Sequence, residues 1–131
     1  MCYYRSVRVE EYLATDGSSP YKNWFDDLDA EAAAKVTVAV LRIRQGLTSS
    51  IKWFEGIGEY KIDWGPGYRI YLAQDGADLI ILFGGGTKKQ QNADIKAAKR
   101  LYKEYKTRKD EAKKKAVEQK PKADKVRKSK G

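Results

Sequence analysis

Gly58-Glu59-Tyr60-Lys61-Ile62-Asp63-Trp64-Gly65-Pro66-Gly67-Tyr68-Arg69-Ile70-Tyr71-Leu72 is the stretch from which the architecture follows. Tyr60, Ile62 and Trp64 alternate with Glu59, Lys61 and Asp63; beyond Gly-Pro-Gly, Tyr68, Ile70 and Leu72 alternate with Arg69 and Tyr71. A period of two means a β-strand, because successive side chains leave opposite faces. Pro66 presets φ and its flanking glycines admit positive φ, so the two runs are predicted to form a hairpin. With Gly65–Gly67 as the loop, Asp63 is expected to face Arg69, and Lys61 to face Tyr71. One hairpin face is then oily, while the other presents Lys61, Asp63, Arg69 and Tyr71.

Downstream, Asp75-Gly76 offers a second turn into Leu79-Ile80-Ile81-Leu82-Phe83, apolar on both faces and so a central strand, closed by Gly84-Gly85-Gly86. A helix is predicted from about Asn92, its candidate cap, with Ile95, Ala98, Leu101, Tyr102 and Tyr105 as its apolar stripe. Upstream, residues 3–13 alternate loosely between aromatic or β-branched and charged residues, which reads as an edge or half-exposed strand. Ser19 as cap and Pro20 at the first helical position start a short helix that buries Trp24 and Leu28. Asp29 caps a longer helix from about Ala30 to Gln45, with Val36, Val40, Ile43 and Leu47 on one stripe and Gly46 as terminator. The expected fold is α+β. A small antiparallel sheet with a mixed edge carries two N-terminal helices on one face, followed by a C-terminal helix; all helices on one side is the simplest arrangement.

The 131 residues suit one domain, placed at 1–105, with a Lys-rich tail at 106–131 that is either a helical extension or disordered. Charge is segregated: residues 1–95 hold 11 Lys/Arg against 13 Asp/Glu, and residues 96–131 hold 16 against 5. The net charge of +9 therefore belongs to the C-terminal end, which excludes a uniformly basic nucleic-acid-coating protein. A single cysteine, Cys2, precludes an intrachain disulfide and a cysteine-rich metal site. With no histidine, every scheme that needs an imidazole is excluded. The longest apolar run is Leu79–Phe83, and the N-terminus has no apolar signal region, so a reducing cytoplasm is the expected location, with no membrane, metal or cofactor.

Lys88 and Lys89 follow the central strand and are expected near the hairpin's polar face. Together with Lys61 and Arg69 they would hold phosphate, with Tyr71 available for stacking or proton transfer. The plainer reading makes these residues solvated strand charges, with an Asp63–Arg69 cross-strand pair worth a few tenths of a kcal/mol. Gly84-Gly85-Gly86 followed by Lys88 lacks the spacing of a Walker phosphate loop.

The run from Gly56 to Tyr71, followed by Gly85-Gly86-Thr87-Lys88 and Gln91-Asn92-Ala93-Asp94-Ile95, resembles the RelE/ParE toxin superfamily, and within it the HigB-type addiction module killer proteins. The likeness covers about residues 3–105. It implies a RelE-like fold and the toxin of a type II toxin–antitoxin pair, partnered by a cognate antitoxin. It further implies an endoribonuclease that cleaves messenger RNA on the ribosome through 2′-hydroxyl attack on the adjacent phosphate. That reaction needs a base, cations for the phosphorane and an acid for the leaving oxygen. By the resemblance Lys61 matches a catalytic lysine and Arg69 the phosphate-holding arginine. Lys88 and Lys89 match a basic pair after the last strand that binds RNA, one of the two being a candidate acid or charge stabiliser. Two positions depart from the best-studied branch: Asp63 stands where it has a second lysine, and Ile95 where it has a base-stacking tyrosine. Asp63 is left as either a base or a salt partner of Arg69. Two other functions stay open: a non-enzymatic inhibitor of DNA gyrase, as ParE-like members are, and an inactive remnant acting as a binding module.

Overall fold

The computed structural model describes residues 6–130, with side chains through Val117. Residues 3–5 of the predicted first strand lie outside the described residues. The chain runs β1 (Arg8–Glu11), α1 (Pro20–Asp26), α2 (Ala30–Arg44), β2 (Lys52–Phe54), β3 (Ile57–Ile62), β4 (Tyr68–Asp75), β5 (Leu79–Thr87), a 3₁₀ turn (Lys88–Gln90) and α3 (Gln91–Lys130). The sheet order is β1-β5-β4-β3-β2. β1 runs parallel to β5, from Arg8 against Leu79 to Glu11 against Leu82, and every other pairing is antiparallel. The fold is therefore a mixed α+β arrangement around a five-stranded sheet whose parallel pair lies at one edge. Its shortest member, β2, has three residues and falls in what reads as loop from sequence, because so short a segment shows no period.

Both N-terminal helices start where their caps predict. The Ser19 hydroxyl accepts from the Lys22 N–H at 3.0 Å, and the Asp29 carboxylate from the Ala32 N–H at 2.9 Å. Tyr21 of α1 and Val36, Ala39, Val40 and Ile43 of α2 bury one sheet face, covering Tyr60, Ile62, Ile70, Leu72, Ile80 and Leu82. Asn92 does not cap α3. It lies inside the helix, which begins one residue earlier, directly off the 3₁₀ turn.

The hairpin register corrects one expectation. Lys61 pairs with Arg69 and Glu59 with Tyr71, so Asp63 does not face Arg69, nor Lys61 Tyr71. The turn closes early: the Trp64 N–H donates to the Ile62 carbonyl at 2.9 Å and the Gly67 N–H to the Trp64 carbonyl at 3.1 Å. Strand pairing therefore stops at Ile62 and Tyr68. The offset from the expected register is even, so every side chain keeps the face its alternation assigned.

A second expectation, helices on one side only, is also corrected. α3 lies across the opposite face, where Ala98, Ile95, Leu101, Tyr102 and Tyr105 cover Ile57, Tyr71, Ala73, Ile81 and Phe83. A β-bulge makes this close packing possible. Tyr71 pairs with Gly84 and Leu72 with Leu82, which leaves Phe83 as the extra residue on β5. After the bulge, Gly85 faces α1 and Gly86 faces α3. A Cβ on Gly85 would sit 2.5 Å from the Trp24 ring, and one on Gly86 would overlap the Asp94 carboxylate. Only glycine lets the two helices approach the strand this closely.

Toward its middle α3 is tied to the far end of the sheet. Tyr105 and Lys109 bond the Asp75 carboxylate, Lys109 at 2.6 Å, and the Arg108 guanidinium donates to the Leu13 carbonyl at 2.6 Å. From Asp110 to Val117 the side chains are exposed. Among the described residues no helix is long and apolar enough to cross a membrane.

Candidate functional site

The site is built on the start of β4. Arg69 is 5% exposed, and its immediate neighbours on the α3 face are Glu59, 7% exposed, and Tyr71, 1% exposed. The Arg69 Nε lies 3.5 Å from the Glu59 carboxylate, and its Nη1 donates to the Gly67 carbonyl at 3.1 Å. The same Glu59 oxygen accepts from the Tyr71 hydroxyl at 3.0 Å and from the Gln91 amide at 2.9 Å. Glu59 is thus the node that joins β3, β4 and the first turn of α3; it faces the guanidinium as an ion pair, with no hydrogen bond to Nε, while the Gly67 carbonyl receives the one side-chain hydrogen bond that Arg69 makes among the described residues. A charge this far from water persists only when paired.

Around that fixed arginine the cations are exposed. Lys61 sits directly across from Arg69. The Lys88 N–H donates to the Gly67 carbonyl at 3.0 Å, the same oxygen that receives Arg69, and Lys89 follows it in the 3₁₀ turn. Three elements distant in sequence therefore bring Lys61, Arg69, Lys88 and Lys89 to one end of the sheet. Lys61 also lines a groove of about 400 Å³ with Lys35, Arg42, Asp63 and Trp64, and the Lys35 ammonium lies 5.7 Å over the Trp64 ring.

Two predicted members take other places. Tyr71 is not an open stacking surface: α3 covers it, and burial, then its bond to Glu59, push its hydroxyl well above the ordinary tyrosine range. Asp63 is exposed on the turn, and its expected role as partner of Arg69 belongs to Glu59. Sequence reading missed Glu59, Gln91, Lys35 and Arg42. Glu59 alone carried a signal, since it occupies the same strand face as Lys61, two residues away.

Over 86 residues the chain is 40% identical to an uncharacterized protein of Haemophilus influenzae, an alignment that covers 64% of this chain and 87% of the relative. The chain belongs to that protein's family. No family model matches the chain, and no solved structure matches it. A chemistry for the family therefore rests on the site itself.

One half-buried group near the site makes a direct prediction. The Asp94 Oδ2 is buried against Gly86 and receives no hydrogen bond. Burial pushes its carboxyl above the usual carboxylate range. A group whose native pKa is raised favours folding below its unfolded value, near ~3.9, and loses that advantage as pH rises through the native value. Asp94→Asn, which removes the charge and keeps the shape, is thus expected to raise the thermal midpoint at pH 7. The gain should fade toward roughly pH 3.5, where wild type is protonated too. A midpoint at pH 7 that is unchanged or lower would contradict this.

Proposed function

We propose that this chain is the toxin of a type II toxin–antitoxin pair and that it cleaves messenger RNA on the ribosome. The observation that carries the reading is the convergence of exposed Lys61, Lys88 and Lys89 on an immobilised Arg69. The resemblance of Gly56–Ile95 to HigB-type killer proteins supports it. In this reading Arg69 and its neighbours stabilise the extra negative charge of the phosphorane, where fixed donors act without reorganisation. Lys61, once its ammonium has given a proton to solvent, takes the proton of the attacking 2′-hydroxyl as the free amine, and the ammonium of Lys88 or Lys89 delivers one to the leaving 5′-oxygen. Glu59 supplies the carboxylate that orients Arg69, which leaves exposed Asp63 beside the reacting end without a neutralising role. An antitoxin would silence the chain by covering the cationic end with acidic side chains.

The test is a reconstituted bacterial translation reaction in which the 5′ ends of one defined messenger are mapped with and without ribosomes. Cuts that require ribosomes are expected, and their positions give the codon preference. Absence of cuts in both conditions would overturn the ribonuclease reading, and a DNA supercoiling assay with purified gyrase would then test the inhibitor class.

A further inference from the structure

α3 does not stop where its packing stops. Its first turn meets the site end of the sheet, where Gln91 bonds Glu59 and Asp94 lies against Gly86, the pairing partner of Arg69. It then runs back along the sheet to Asp75, at the opposite end of β4, where Tyr105 and Lys109 secure it. The bond of Lys109 is the last described hydrogen bond or ion pair between α3 and the sheet. Beyond it lie Lys113, which lines a groove with Asp75, and then Lys114 and Lys115, all three exposed; residues 96–131 of the sequence hold 16 Lys/Arg against 5 Asp/Glu. At 1.5 Å per residue, Asp94 to Lys113 is a rise of about 28 Å. The molecule therefore carries two cationic centres, one at each end of the sheet, that cannot touch the same phosphate.

We infer that the basic outer part of α3 is a second nucleic-acid contact, which grips the phosphate backbone of an RNA long enough to reach both ends of the molecule. Composition favours RNA over a lipid surface. A helix that lies on a membrane needs a wide apolar face, whereas the segment 106–117 offers only Ala112, Ala116 and Val117. Phosphate contact needs no such face, only cations that release counterions. At a stacked spacing of about 3.4 Å per nucleotide, roughly eight nucleotides are needed to bridge 28 Å. Shorter RNA reaches one centre at a time and gains nothing from the second; longer RNA gains from both together.

The bridging rests on the RNA reading of the Arg69 end, and the experiment separates the two. The full-length chain and its K113Q/K114Q/K115Q variant are titrated into fluorescein-labelled 2′-O-methyl RNA oligonucleotides of about 4 and about 24 residues, at several salt concentrations. Gln keeps the helix, because its propensity is close to that of Lys. For the long oligonucleotide the variant is expected to bind at least ~10-fold more weakly, with a log Kd against log salt slope shallower by about 2, as three lost single-strand contacts require. For the short one it should match wild type. An unchanged slope and affinity for the long oligonucleotide overturns the inference. Equal losses at both lengths overturn it as well, since the lysines would then act at one shared centre. If no cuts appear in the translation reaction while the variant still flattens the slope, the helix contact stands and the ribonuclease reading falls. If cuts appear while the slope stays unchanged, the ribonuclease reading stands and the helix contact falls.

Discussion

Glu59→Ala is expected to cost the fold about 3–5 kcal/mol, because it strands the Arg69 guanidinium in a dry environment. The magnitude follows from burial. Arg69 and Glu59 are 5% and 7% exposed, so water cannot replace the lost carboxylate. Tyr71 and Gln91 lose their acceptor in the same stroke. Chemical denaturation followed by tryptophan fluorescence would read the change as a large drop in midpoint. Glu59→Gln keeps an acceptor oxygen without the charge and should fall between wild type and alanine. The double variant E59L/R69M should recover part of the loss, since removing both charges leaves neither unpaired. If Glu59→Ala left the midpoint where it was, the node described for this carboxylate would not exist in solution.

The second large effect is on activity. Lys61→Ala is expected to slow ribosome-dependent cleavage by roughly 10²-fold or more, the usual contribution of a positioned proton-transfer group. Its denaturation midpoint should match wild type, because Lys61 is exposed and holds no described contact that the fold needs. Lys88→Ala, tested separately from Lys89→Ala, distinguishes which of the pair serves the leaving oxygen. Both should be measured as single-turnover cleavage at saturating ribosomes, so that chemistry is separated from binding. Full rates in Lys61→Ala, Lys88→Ala and Lys89→Ala alike would remove the chemistry from this end of the sheet. Arg69→Ala is the poorer probe, because the buried guanidinium also supports the fold.

Much of the fold is legible in the chain alone. Ser19 and Asp29 cap the helices their positions predict, and the stripe Val36, Val40, Ile43 does reach the core. Caps and apolar spacing are local signals, set by residues three or four apart. The hairpin is legible in its faces and not in its register. Alternation tells which residues share a face, whereas register depends on where the turn closes, here at Ile62 and Tyr68. Of the site, Lys61, Arg69, Lys88 and Lys89 can be named from their residue types and brought to one end by a meander. Their partners cannot, because Gln91 meets Glu59 across 32 positions of chain.

The sequence by itself determined the type of every helix and of every strand but β2, the two faces of the hairpin strands, the basic end of the chain and the exclusion of imidazole chemistry. Each follows from neighbours along the chain or from counting. Only the tertiary structure decided that α3 crosses the face expected to be open. It thereby made Tyr71 an internal hydrogen-bond donor and Arg69 a buried, oriented cation rather than two surface groups. The physical reason is that the face was apolar enough to demand a cover: Ile57, Ala73, Ile81 and Phe83 surround those polar residues, and the stripe on α3 buries them. Whether a polar side chain ends in water or beneath a helix depends on what its neighbours in space require, and those neighbours come from β3, β4, β5 and α3 together.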